Sequence, residues 1–383
     1  MSQRETYLLS DSTWRRGRNA LAAVALAGWA ASAAAWSADP HAFFTAYLTA
    51  FVFCASILAG ALFFVMLQHL TGSAWSVTVR RLAENVMSTI PVAALLFIPV
   101  ALGLSSIYEW THMGASLGDK ARYLNQPFFL LRTAIYFALW SLWAWKLRRF
   151  SVRQDREGTI ALTRAEVRWS APGLVMLMVT STLAAFDWVM SLSPHWSSTI
   201  FGIYLLSGGV LAFFALLVLI ALSLRAAGVM RDSINHAHYH DLGKWLFALT
   251  VFWAYIAFSQ YMLMWYANLP EEIVWYRQRL TGGWGWVSAA LLIGRFLIPF
   301  NLLLPRASKR NLAVLGAAAA WIVLMHYLDV FWLIRPAFGW PHFATIAALG
   351  GTLALAFWAR LKNQAIAPVG DPRFEQALVF ENS

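Results

Sequence analysis

Four charged residues lie within long apolar segments of the sequence: Arg132, Asp187, Arg295 and Asp329. A charged side chain inside a bilayer is costly unless it is paired or hydrated, so such residues are either functional or held in structural ion pairs. Arg132 and Asp187 lie near the ends of their segments, which favours a structural ion pair. Arg295 lies deeper, where a functional role and a structural role are equally supported. Glu109, at the end of another segment, is a further candidate for a structural ion pair.

His326 and Asp329 form the clearest pair of titratable residues. They are three positions apart, which places them on one face of a helix. A histidine titrates near neutral pH and an adjacent carboxylate can tune it, so this pair could relay a proton. A histidine that is simply hydrogen-bonded to a neighbouring helix is an equally open alternative. A proton path here would use His326 and Asp329, with Arg295 and Asp187 as the nearest candidates to complete it.

The sequence offers few ligands for a metal or a haem. Cys54 is the single cysteine, which excludes a disulfide, a cysteine-ligated iron–sulfur cluster and a CxxCH haem attachment within this chain. His236 and His240 have the i, i+4 spacing of some zinc ligands, but no second ligand pair accompanies them, and a solvated turn is favoured. Well inside the membrane only His326 could serve a haem, and it has no partner. Aromatic residues that could flank a quinone ring, or simply pack in a bundle, include Trp253, Tyr261 and Trp265. We therefore expect no metal, haem or cluster in this chain, whereas quinol binding stays possible.

Composition places the chain in a membrane. Of its 383 residues, 60% are hydrophobic, only 12% are charged and 21 are tryptophan. This composition lies far from that of a soluble domain. The formal net charge is +11, but the basic residues are spread over short loops instead of forming one patch. Nucleic-acid binding is therefore not expected.

The apolar segments predict an all-α protein with about ten transmembrane helices. The first resembles a signal peptide, but its length and the nearness of the next segment favour a helix that is retained. The ten segments span about residues 20–38, 42–69, 88–107, 127–147, 171–192, 198–224, 244–267, 284–304, 312–334 and 342–361.

Lysine and arginine are distributed unequally between alternate loops. Of the 29 basic residues, 22 fall on the side that holds both termini. Basic residues collect in cytoplasmic loops, so this asymmetry predicts that both termini are cytoplasmic. The expected location is the inner membrane of a bacterium. The longest cytoplasmic loop, about 147–170, is highly charged and is expected to be only partly ordered.

Helices three to six and seven to ten could be two copies of one unit. Arg132 and Arg295 lie in the second helix of each copy, and Asp187 and Asp329 lie near the end of the third. Parallel repeats of this kind build some membrane proteins, although chance recurrence explains the match equally well. The predicted organisation is a cytoplasmic N-terminus with two peripheral transmembrane helices, a first four-helix bundle, a second four-helix bundle and a cytoplasmic tail, over residues 1–85, 86–225, 226–362 and 363–383.

Three separated blocks of sequence carry a resemblance to a known family. They are Asp187–Leu192 with the following Pro194-His195-Trp196 and Ser198–Gly202, then the segment 241–279, then Val369–Arg373. Together they resemble the second of the two quinone-binding-type membrane subunits of alternative complex III, over a region from about residue 85 to the end. This chain has Ser193 before the Pro-His pair, where the family has an acidic residue.

The resemblance implies a membrane component of a quinol:cytochrome c oxidoreductase, similar to polysulfide-reductase type membrane anchors. It implies partners that comprise a related polytopic subunit, an iron–sulfur subunit and multihaem and monohaem cytochromes c. In that family the related polytopic subunit is the better candidate for the main quinol site, so this chain would supply scaffold and a proton path. Two other classes stay open, a proton-coupled secondary transporter and a purely structural anchor. A transporter should show helices broken by Gly or Pro at matching positions of its two halves.

Overall fold

The computed structural model describes residues 7–362 and 364–381, and within these ranges the chain is helical with no strand. Ten helices are long and apolar enough to cross a membrane, as the sequence predicts for an all-α, multi-pass membrane protein. They are α1 (Asp11–Ala38), α2 (Pro40–Leu70), α3 (Val77–Leu102), α4 (Gln126–Glu157), α5 (Ile160–Trp188), α6 (Phe201–Ala226), α7 (His236–Ala267), α8 (Gly283–Leu303), α9 (Leu312–Ile334) and α10 (Pro341–Arg360).

Short helices connect the crossings. One of them, Pro270–Leu280, joins α7 to α8 and is called the surface helix below. The others are Leu104–Ile107, Trp110–Met113, the 3₁₀ segments Gly114–Arg122 and Met190–Leu192, Arg306–Arg310, and Phe374–Leu378 in the C-terminal segment.

The second helix lies at the centre of the bundle, which differs from the expectation of two peripheral N-terminal helices. Helix α2 packs against α5, α6, α9 and α10, and almost all of its length is buried. Helix α1 is peripheral as expected and packs on α10. Its Gly28 lies against the backbone of Ala348, where a Cβ atom would collide. A uniformly apolar helix fits lipid and a protein core equally well, so composition could not place α2.

Helix α3 begins earlier than predicted and is broken twice. It starts at Val77, not near residue 88, and its first section, Val77–Met87, is followed by Ile90–Leu96 and Ile98–Leu102. Pro91 and Pro99 come directly after the two breaks, and proline has no N–H to continue a helix. The early start draws Arg80 and Arg81 out of the predicted loop and into a helix.

The predicted loop 147–170 is almost entirely helical. Helix α4 runs to Glu157, where Gly158 adopts a left-handed conformation with φ of 57° and ends the helix. Helix α5 begins two residues later at Ile160. The expectation of a partly ordered loop is wrong, because charged residues continue both helices beyond their apolar sections.

The first described residues and the C-terminal segment lie at the same end of the bundle, called here the terminal end. The N–H of Ile366 donates to the carbonyl of Tyr7, and the indole of Trp14 donates to the carbonyl of Trp358 at 3.2 Å. The opposite end, called the aromatic end, holds the loops rich in tryptophan and tyrosine. An even number of crossings requires this arrangement, which fits the two termini on one side of a membrane.

Candidate functional site

Arg295, His326 and Asp329 meet in the interior of the bundle, each no more than 1% exposed. Arg295 Nη2 lies 3.0 Å from His326 Nδ1 and 3.5 Å from Asp329 Oδ2. The hydroxyl of Tyr204, on α6, donates to Asp329 Oδ1 at 2.5 Å. Ser56, on α2, lies 2.8 Å from His326 Nε2. Helices α2, α6, α8 and α9 thus contribute to one site, called below the central cluster.

The backbone around Arg295 is shaped to admit its guanidinium. Arg295 lies in a π-helical turn, Leu291–Leu297, within α8. Such turns are uncommon and occur frequently at functional sites. Across the interface, a Cβ atom at Gly208 would lie 2.7 Å from Arg295 Nη2, so any other residue there would displace the guanidinium. The guanidinium also stacks over the ring of Trp253, 4.4 Å from its centroid.

The hydrogen bonds fix the protonation state of His326. An arginine only donates, so His326 Nδ1 must accept from Arg295. The Ser56 hydroxyl donates to the carbonyl of Phe53 at 2.9 Å, so its oxygen accepts from His326 Nε2. His326 is therefore the neutral tautomer with its proton on Nε2. The charges of the cluster then balance, with Arg295 positive and Asp329 negative.

Arg295 lies between the two residues predicted to exchange a proton. Both His326 and Asp329 face its guanidinium, and within the described chain they form no direct hydrogen bond to each other. An arginine keeps its proton in proteins, so it cannot pass one along. Asp329 is instead hydrogen-bonded directly to the Tyr204 hydroxyl, a group that carries a proton. His326 could join them only if Arg295 moved.

Asp187 belongs to a separate cluster near the aromatic end. Arg132 holds its carboxylate with two hydrogen bonds of 2.9 and 2.7 Å, and Tyr136 donates a third of 2.7 Å. The Arg132 guanidinium also stacks on Tyr123, 3.8 Å from the ring centroid. These contacts are those of a structural ion pair and leave Asp187 apart from the central cluster. Glu109 is exposed and forms no ion pair with a described residue.

A buried ionic network at the terminal end is not predicted by the sequence. Arg80 donates to Asp371 at 2.6 Å and to Glu84 at 3.2 Å, and Arg81 holds Asp155 with bonds of 2.9 and 3.0 Å. Burial alone would raise the pKa of Asp371, but Arg80 and the N–H of Arg373 outweigh it and leave the pKa at about 2. The network fastens the C-terminal segment to α3. The i, i+4 spacing of Arg80 and Glu84 was the available signal.

A second buried pair lies beside this network. His69 Nε2 is 3.6 Å from Glu166 Oε2, and His69 Nδ1 is 3.0 Å from the Ser170 hydroxyl. Both Glu166 oxygens lack a hydrogen bond from the described chain. The sequence places His69 near the end of a helix but does not predict its partners, because they lie about one hundred positions away.

The three histidines at the start of α7 lie within the helix instead of the solvated turn that the sequence favours. His236 is exposed, His238 and His240 are buried, and His238 caps the helix. Asn235 and His238 form a reciprocal capping box, with the Asn235 side chain accepting from the N–H of His238. Across residues 7–362 and 364–381, no group of three or more His, Cys, Asp or Glu residues is placed to hold a metal ion.

Fold and sites together define a multi-pass, all-α membrane protein with a buried, charge-balanced cluster. No protein-family model matches the chain, and no curated protein matches it.

Proposed function

We propose that this chain is a membrane subunit of a quinol:cytochrome c type oxidoreductase of the alternative complex III kind. The three sequence blocks that resemble the second quinone-binding-type membrane subunit of that complex support this assignment. Its partners would be a related polytopic subunit, an iron–sulfur subunit and multihaem and monohaem cytochromes c. Those partners would carry the haem c and iron–sulfur clusters, because Cys54 is the only cysteine here.

The observation that carries the proposal is the Tyr204–Asp329–Arg295 arrangement. Quinol oxidation releases protons, and a membrane subunit that handles them needs a buried carboxylate with a proton-bearing neighbour. Asp329 and the Tyr204 hydroxyl meet that need at 2.5 Å. Protonation of Asp329 would leave Arg295 without its counter-charge, which is unfavourable in a dry interior. Proton arrival would therefore be coupled to movement of Arg295.

The remaining polar sites suit a scaffold. The Arg132–Asp187 pair is fully hydrogen-bonded and joins α4 to α5, and the ionic network joins α3 to the C-terminal segment. Neither needs to change during turnover. The proposed division of labour is a central cluster that exchanges protons and two outer clusters that hold the helices.

A proton-coupled transporter is the second candidate, favoured by the broken helix α3 and by the π-helical turn within α8. In the predicted repeat, however, α3 corresponds to α7, which is continuous from His236 to Ala267. The breaks thus do not fall at matching positions of two halves. A purely structural anchor would use the central cluster only as an ion pair between α8 and α9, and variants of Asp329 and Tyr204 distinguish that role from proton exchange.

Purification from native membranes tests the assignment. We expect the chain to co-purify with cytochrome c subunits and to show haem absorption in that complex. The chain expressed and purified alone should show no stoichiometric haem or iron–sulfur spectrum. A solitary oligomer from native membranes would support the transporter and contradict the proposal.

The proposed orientation places both termini in the cytoplasm of a bacterial cell, at the basic side. Ser116 and Thr159 are exposed at opposite ends of α4 and its preceding segment, next to glycines whose positive φ makes them poor sites for substitution. In a Cys54→Ala background, an impermeant maleimide added outside should label Ser116→Cys and spare Thr159→Cys. The reverse pattern would invert the orientation.

A further inference from the structure

A cavity of about 810 Å³ lies between α7, α8 and the surface helix. It lies toward the aromatic end, next to the central cluster, and two of its lining residues also contact that cluster. Its volume is within the range of roughly 300–1,000 Å³ that is usual for small-molecule sites. A transmembrane helix of another subunit would need on the order of 2,000 Å³, given its diameter and length. The cavity therefore fits a small molecule and is too small to enclose a partner helix.

The cavity opens sideways, through the surface that faces lipid. Its rim includes Tyr255, Phe258 and Leu292, which are 64%, 60% and 60% exposed. All three lie within crossing helices, so the opening meets the hydrocarbon region of a membrane. None of the described residues that line the cavity is charged, which disfavours a phospholipid headgroup. The ligand is thus expected to be lipid-soluble and uncharged.

The inner wall is aromatic and separates the cavity from the central cluster. Tyr204 and Trp253 form this wall, and both are buried. On the far side the Tyr204 hydroxyl donates to Asp329, and Arg295 stacks over the Trp253 ring. Trp332 and Tyr276 complete the base. Flat aromatic walls of this kind favour a flat ring between them.

Tyr276 supplies a hydrogen-bond donor that the protein leaves unused. Its oxygen accepts from Gln260 Nε2 at 3.1 Å, and its own hydroxyl proton has no acceptor in the described chain. Burial raises the pKa of the Tyr276 phenol above its ordinary value, which keeps that proton in place. A ligand with a carbonyl oxygen would satisfy this donor.

We propose that the cavity binds the ring of a lipid-soluble quinone, with the Tyr276 hydroxyl donating to a ring carbonyl. The hydrocarbon tail would leave between Phe258 and Leu292 into the bilayer. The choice of a quinone among flat, uncharged, carbonyl-bearing lipids rests on the proposed function. Binding here places the ring against Tyr204, whose hydroxyl donates to the buried carboxylate of Asp329.

Photolabelling of the native complex in lipid nanodiscs tests the site directly. The probe is an azido-benzoquinone with a decyl tail, and peptides that carry the label are identified by mass spectrometry. We expect saturable labelling of segments around Tyr255 or Leu292, abolished by excess decyl-benzoquinone without the azide. Labelling that does not saturate, or that resists this competitor, would mean nonspecific lipid occupancy and overturn the proposal.

Two neighbouring alanines provide a matched pair of variants. Ala289 lines the cavity, whereas Ala290 is exposed outside it. Ala289→Phe should place a ring in the space proposed for the quinone ring and reduce labelling at least about tenfold, because the two rings cannot occupy the same volume. Ala290→Phe should leave labelling unchanged. Equal labelling of both variants would overturn the proposal.

Tyr276→Phe removes only the hydroxyl. It should raise the probe concentration that gives half-maximal labelling roughly threefold to tenfold, as expected for the loss of one hydrogen bond. If this concentration is unchanged, Tyr276 does not donate a hydrogen bond to the quinone. Labelling measures binding alone, so the quinone site and the proposed function can be contradicted separately. A complex with haem-bearing partners but no label here would refute only the quinone site. A labelled chain without such partners would refute only the assignment to the oxidoreductase.

Discussion

Asp329→Asn should slow quinol oxidation by the assembled complex at least about tenfold while leaving its haem content unchanged. Asparagine keeps the size of the side chain but cannot take up a proton. A positioned acid or base commonly contributes on the order of 100-fold or more to a proton transfer, so a tenfold loss is a conservative expectation. Charge translocation in proteoliposomes should fall with the rate. The measurements are steady-state quinol oxidation and the haem spectrum of the same preparation.

Two further variants keep this prediction open to contradiction if Asp329→Asn fails to assemble. Tyr204→Phe removes the hydroxyl that donates to Asp329 but leaves the Arg295–Asp329 pair intact, so it should assemble and still slow turnover. Asp119→Asn changes an exposed aspartate and serves as the matched control. If Tyr204→Phe assembles with activity and charge translocation within twofold of the unmodified complex, the central cluster is structural, whether or not Asp329→Asn assembles.

Arg132→Met should destabilise the protein by about 3–5 kcal/mol, the usual cost of leaving one partner of a buried ion pair without the other. Asp187 would keep only the hydrogen bond from Tyr136 to its carboxylate. For a chain of this size, we expect an apparent melting temperature in detergent lower by about 4–6 °C. Tryptophan fluorescence during heating gives the measurement.

Removing both charges should repair most of that loss. In the Arg132→Met, Asp187→Leu double variant no buried charge is left unpaired, so more than half of the stability should return. Arg122→Met alters an exposed arginine in the same region and should change the melting temperature little. A single variant as stable as Arg122→Met would show that the Arg132–Asp187 pair contributes nothing to the fold.

The ten crossings could be predicted because hydropathy over roughly twenty residues is a strong, local signal. The shared face of His326 and Asp329 followed from their spacing alone. The insertion of Arg295 between them could not be predicted, because it depends on a π-helical turn and on the space beside Gly208. Both are properties of packing between helices.

The ionic network at the terminal end also depends on packing that local sequence does not predict. The motif that contains Asp371 was visible in the sequence, but its partner Arg80 lies 291 positions away and was assigned to a loop. Nothing local joins the two. Apolar composition likewise could not distinguish α2, in the core, from α1, at the lipid surface, since lipid and protein interior make similar demands of a helix.

The central position of α2 has a consequence for biosynthesis. Ribosomes add roughly 5–20 residues per second, so α2 is complete roughly 15–60 s before α10, which packs against it, has been made. During that interval α2 must remain in lipid without the neighbours that later cover it. Its Ser56 hydroxyl already donates to the carbonyl of Phe53 within the same helix. Because that bond is internal to α2, the Ser56 hydroxyl can have a hydrogen-bond acceptor in the bilayer before α9 brings His326 to it.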